Sequence, residues 1–159
     1  MNKALRSLMA PVAVALSLAA AGSSAAVLTT TMSVDNGYVA YISTSDSVQG
    51  TAFGANNNWY SAYTDSTVLA AGTTYYLHIF AYDQGGIAGL LGDFSLSGGG
   101  HKFANGLTNL TTNTTDWMGN NSGFNGSYGS LTNLGGHGVG PWGVVAPISN
   151  SAHFYVLLI

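Results

Sequence analysis

The chain has 159 residues, with three Lys or Arg, six acids that are all Asp, and a formal net charge of −3. It contains no cysteine and no glutamate, which excludes disulfides, thiolate zinc sites and a glutamate acid–base pair. So few cations leave phosphates little to bind, which argues against nucleic acid or anionic lipid as a partner.

In chain order, Lys3 and Arg6 come first, and an apolar stretch over residues 8–21 is broken only by Pro11 and Ser17. Gly22-Ser23-Ser24-Ala25-Ala26 follows. This basic, apolar, small-residue order predicts a cleaved secretory signal peptide over residues 1–26. Ser24 and Ala26 suit cleavage before Val27, with Ala25 the competing residue. The apolar stretch is shorter than the roughly 20 residues of a spanning helix, and no later segment is long and apolar enough to span a membrane. The predicted destination is therefore secreted or cell-surface. Residues 27–159 keep all six Asp and a single basic residue, Lys102. They suffice to bury a core without disulfides and read as one domain.

Helix signals are nearly absent from this domain: Gly, Asn, Ser and Thr interrupt every stretch, and strong helix formers are rare. Strands are predicted at residues 27–34, 38–42, 73–82, 91–96, 102–103, 107–112, 115–118, 128–131, 144–146 and 153–159. The run 73–82 places Tyr75, Leu77, Ile79 and Ala81 on one face and Tyr76, His78, Phe80 and Tyr82 on the other. Both faces are apolar or aromatic, which predicts a central strand. Turn residues punctuate the strands at Asp35-Asn36-Gly37, Asn56-Asn57-Asn58, Gly85-Gly86, Gly98-Gly99-Gly100 and Gly135-Gly136. Many short strands with such punctuation predict an all-β fold, a β-sandwich or jelly roll.

Asp83-Gln84-Gly85-Gly86 follows the best strand. An Asp beside a glycine loop offers Ca²⁺ oxygen ligands, because glycines leave carbonyls open. The same residues also read as a turn, with Asp83 capping backbone amides and the glycines at positive φ. Asp35-Asn36-Gly37 has the same two readings, the second as a hairpin turn. Asp46, among Ser43, Ser45 and Ser47, is a third candidate ligand for a structural Ca²⁺.

Trp59, Tyr60 and Trp142 are candidate stacking surfaces for sugar rings, with Asn57 and Asn58 as hydroxyl partners. Tyr63 and Trp117 belong to the same wider set. All of these aromatics have the alternative of core packing. The four histidines show no metal-ligand spacing. His78 reads as packed and His137, in Gly-Gly-His-Gly, as the most exposed. The sequence has no Gly-x-Ser-x-Gly elbow and no phosphate loop, so it predicts no enzyme.

Several segments carry a family resemblance. Val34-Asp35-Asn36-Gly37-Tyr38-Val39-Ala40-Tyr41-Ile42-Ser43 resembles a "DNxYxLYxS" opening, and Asn57-Asn58-Trp59 resembles "NNW". Leu69-Ala70-Ala71-Gly72-Thr73-Thr74-Tyr75-Tyr76-Leu77-His78 resembles the next landmark, "LxpGxxnYLHv". The most specific segment, Ala81-Tyr82-Asp83-Gln84-Gly85-Gly86-Ile87-Ala88-Gly89-Leu90-Leu91-Gly92-Asp93-Phe94, resembles "AxDxGGIAGfLGDF". Residues 112–117 and 138–143 resemble later landmarks. Together, about residues 30–150 resemble exported bacterial domains of the PEP-CTERM protein type. The final segment departs from that family's "ARWIW" strand, and its Pro-Glu-Pro sorting tail is not found through Ile159.

The resemblance implies a galactose-binding-like jelly roll and weak contact with carbohydrate or exopolysaccharide in the extracellular matrix. The rival expectation is a structural or adhesive surface protein with no sugar site. A secreted hydrolase is the third.

Overall fold

The computed structural model describes residues 24–113 and 115–156. The signal peptide, apart from residues 24–26, and the last three residues of the predicted final strand lie outside them. The described residues are all-β, with no helix, and hence none long and apolar enough to cross a membrane.

The strands are β1 (Ala26–Asp35), β2 (Gly37–Ser43), β3 (Thr51–Asn56), β4 (Tyr63–Leu69), β5 (Tyr76–Tyr82) and β6 (Gly89–Gly98). Then come β7 (Asn109–Thr111), β8 (Met118–Gly119), β9 (Gly129–Ser130), β10 (Thr132–Gly136) and β11 (His153–Val156). The large sheet runs β10-β11-β6-β1-β4, with β7 also paired to β6. The small sheet runs β3-β2-β5, and β8 and β9 pair with each other. Every pairing is antiparallel.

The period-2 pattern of β1 sets the core. Ala26, Leu28, Met32 and Val34 share one buried face with Thr30. Across the interior, β2 contributes Tyr38 and Ala40 and β5 contributes Leu77 and Ile79. Phe53, Phe94, Phe103 and Trp117 complete this layer between the sheets. A second cluster of Leu91, Trp142, Val145, Ile148, Ala152 and Phe154 involves the opposite face of β6. The segment 138–152 folds over that face and is pinned where the Ser149 amide donates to Asp93 Oδ2 at 2.7 Å.

Two ties join the parts. The buried Tyr38 hydroxyl donates to Asp65 Oδ2 on β4 at 2.6 Å, linking the two sheets. Thr112 joins three strands. Its amide donates to the Gly92 carbonyl, its hydroxyl accepts from the Gly92 amide, and its carbonyl accepts from the His153 amide.

Several sequence expectations need correction. β1 and β6, not residues 73–82, are central, whereas β5 is an edge strand that pairs, among the described residues, only with β2. Among the described residues no second sheet covers its aromatic outer face, and Phe80 stays 51 % exposed. Asp35-Asn36-Gly37 is not a hairpin turn but a corner, since β1 and β2 belong to different sheets. Residues 102–103 and 144–146 are not strands. Phe103 instead anchors a turn whose Gly106 amide donates to the Phe103 carbonyl. β3 and β4, absent from the sequence reading, pair with β2 and β1.

Candidate functional site

The loop between β3 and β4 builds the aromatic site. Asn56 Oδ1 accepts from the Asn58 amide at 2.8 Å, and Asn58 Oδ1 accepts from the Tyr60 amide at 3.1 Å. These two side-chain turns fix the backbone without regular structure. Ser33 Oγ on β1 donates to the Trp59 carbonyl at 2.7 Å, fastening the loop to the large sheet. The partly buried Trp59 packs against the second cluster. Tyr60 stacks on its outer side at 3.8 Å between centroids and 25° between planes, and is 74 % exposed. Asn58 Nδ2 donates to the Tyr63 hydroxyl at 3.1 Å. The Asn58 amide group is therefore engaged within the loop at both ends, while Asn57 is exposed beside it.

Trp142 is different. It is 8 % exposed and stacks on Phe154 at 4.5 Å, so it offers a ring no flat open surface. Its Nε1 donates to Asp35 Oδ2 at 3.0 Å. Gly89 makes room for it, because a Cβ there would lie 2.7 Å from Trp142 Cζ2.

The three candidate metal ligands divide. Asp35 and Asp83 are close enough to interact by charge. Burial holds the Asp35 carboxyl above its ordinary pKa; the Trp142 bond opposes this, and the negative Asp83 adds to it. Asp46 is instead placed beside His78, with Oδ1 3.4 Å from His78 Nε2. Among the described residues no three His, Cys, Asp or Glu side chains converge as a metal cage. The turn after Asp83 has Gly85 and Gly86 at φ of 111° and 105°. Its Gln84 amide is taken by Asn36 Oδ1, so the capping side chain comes from the inter-sheet corner.

His78 is buried, with Nδ1 3.4 Å from the Gln49 carbonyl and Phe124 against its ring. Both ring nitrogens face acceptors. His137 is half-buried, as are His101 and His153. Its Nε2 accepts from the Val145 amide at 2.7 Å, which fastens the covering segment.

Two concave surfaces were not foreseen from the sequence. A recess of about 350 Å³ on the outer face of the large sheet contains Thr29, Thr31, Asp93, Ser95 and Ser149. A larger groove of about 590 Å³ runs beside β5, with Asp35 and Asp83 in its lining and Trp117, Phe124, Tyr128 and Tyr155 among its aromatics. Burial raises the pKa of Tyr128 and Tyr155. No local motif marks either surface, because each joins segments far apart in sequence. Comparison with family models, with curated proteins and with solved structures finds no match to this chain.

Proposed function

We propose that this is an exported, non-enzymatic domain of the jelly-roll type that contacts polysaccharide weakly at the cell surface or in the extracellular matrix. One observation carries the reading: an exposed tyrosine held flat on a tryptophan that is itself anchored in the core. A ring supported from behind loses little conformational freedom when a ligand lands on it, and its face suits the C–H side of a pyranose. Asn57 supplies hydroxyl partners, while Trp59 and Asn58 hold the platform. The signal-peptide pattern and the resemblance to PEP-CTERM-type domains support the extracellular setting. The engagement of both His78 nitrogens by acceptors supports the non-enzymatic part.

The test is a glycan array followed by titration of the best oligosaccharide. Binding that survives in Trp142→Phe and disappears in Tyr60→Ala is the expected result. Equal binding by the parent and Tyr60→Ala would remove the platform. The adhesive reading is favoured by a separate observation, the edge of β5, which has no strand partner among the described residues, with Phe80 exposed beside it.

A further inference from the structure

The larger groove follows the edge of β5 and takes in side chains from both of its faces. Every residue from 77 to 83 takes part in its lining. Successive strand side chains point to opposite faces, so a concavity that meets an unbroken run of them lies along the backbone edge. That edge has no strand partner among the described residues, since β5 pairs only with β2. The lining also includes Met118, Asn120 and Tyr128, Phe124 packed on His78, and Leu90 and Trp117. The edge is therefore an open backbone ladder set inside a largely apolar trough.

An unpaired edge is a template for another strand. Natural sheets blunt such edges with lysines, prolines or bulges, and β5 has none of these. Its ladder groups supply affinity to an extended chain, and pockets beside it select alternate side chains. The lining includes Asp35 and Asp83 and no Lys or Arg. A volume of about 590 Å³ falls within the range of a defined ligand site, roughly 300–1,000 Å³.

We propose that this groove captures an extended, cationic peptide segment of another protein as an added strand on β5, with a Lys or Arg beside Asp35 and Asp83. A second copy of this domain fits less well. The groove recesses the edge from a folded neighbour, and residues 27–159 carry one basic residue against six acids. A glycan also fits less well, because it leaves the ladder of amides and carbonyls unpaired.

The probe is the peptide Lys-Val-Thr-Val-Thr-Val-Thr, titrated into the exported full-length domain and followed by fluorescence anisotropy and amide hydrogen exchange. Binding should slow exchange in residues 77–83. Methylating alternate backbone nitrogens of the peptide should abolish binding, since the ladder bonds are lost. Replacing its Lys by Gln should weaken binding about threefold, as expected of a partly exposed ion pair. In Asp83→Asn, confirmed as folded by an unchanged melt, that preference for Lys should shrink, leaving only the share owed to Asp35. The proposal is overturned if the unmodified peptide fails to bind at millimolar concentration, if the methylated peptide binds equally, or if protection falls elsewhere. It is also overturned if cellohexaose protects residues 77–83 and displaces the peptide, which would make the groove a glycan cleft.

Discussion

Trp59 and Trp142 pack against the same apolar cluster, yet only one of them carries an exposed ring on its back. Both lie in loops rich in Asn or Gly, Trp59 followed by Tyr60 and Trp142 by Gly143. The difference lies in what each loop does to the sheet. The segment around Trp142 folds down over β6, where Gly89 leaves space for the indole and Phe154 stacks on it. The loop around Trp59 is a short link between strands of different sheets, tied by side-chain turns, and it leaves its next residue outside. An aromatic becomes a platform where the chain leaves the core immediately after it, and becomes core where the chain lies down over it.

The largest test of this contrast is Trp142→Ala. Removing a large, nearly buried aromatic that stacks on Phe154 should cost about 3–5 kcal/mol, read from urea unfolding. Sugar binding should persist under conditions where the variant is still folded. A loss below about 1 kcal/mol would mean that the segment 138–152 is not integral to the core.

Gly89→Ala probes the same corner more gently. The added methyl meets Trp142 at 2.7 Å and Phe154 at 3.2 Å. Overpacking of this kind should destabilise by about 1–3 kcal/mol, with a change in tryptophan fluorescence as the indole shifts. The combination Gly89→Ala with Trp142→Ala should cost less than the sum of the two, because the clash has lost its partner.

The sequence makes β1, β2, β6 and the start of β11 legible, because each carries a buried alternation or a dense apolar run. It hides β3 and β4. Residues 51–56 contain one large apolar side chain, Phe53, and β4 carries Thr64, Asp65, Ser66 and Thr67 in a row. Their pairing is decided by the neighbours β2 and β1, not by their own propensity. It misplaces β5, since apolar residues on both faces read as burial, whereas the outer face borders a groove. The turn chemistry around Asn56 and Asn58 was visible as composition, but Asn58 is a structural member of the loop. The Trp142–Asp35 bond joins residues 107 apart, and no local pattern announces it.

Asp35 lets the buried corner be tested by pH. Its carboxyl takes up a proton more readily in the folded protein than at its ordinary pKa of 3.8, chiefly because of burial, with the Asp83 charge adding to it. The folded state thus binds more protons than the unfolded chain between that value and the raised one. Stability from this group falls as pH rises through that window and returns on acidification. Asp35→Asn keeps an acceptor for Trp142 Nε1 and removes the charge. The variant should gain on the parent near pH 7, and the gap should close as the pH approaches 4. Urea midpoints measured across that range give the result, and a gap that widens on acidification would contradict the burial of this carboxyl.

The smallest expected change in stability belongs to the exposed half of the comparison. Tyr60 touches Trp59 on one side and solvent on the other, and is 74 % exposed. Truncation to Ala leaves Trp59 in place, with its carbonyl still accepting from Ser33, and the Tyr60 backbone amide still able to donate to Asn58 Oδ1. A surface substitution of this kind stays within about 0.5 kcal/mol of the parent, even allowing for some lost stacking. Binding to the best oligosaccharide should nevertheless fall below detection. Trp59→Ala should lose both, since it removes the support along with part of the second cluster. If Tyr60→Ala instead destabilises as much as Trp59→Ala, the ring is a structural lid on the tryptophan and the two corners differ only in degree.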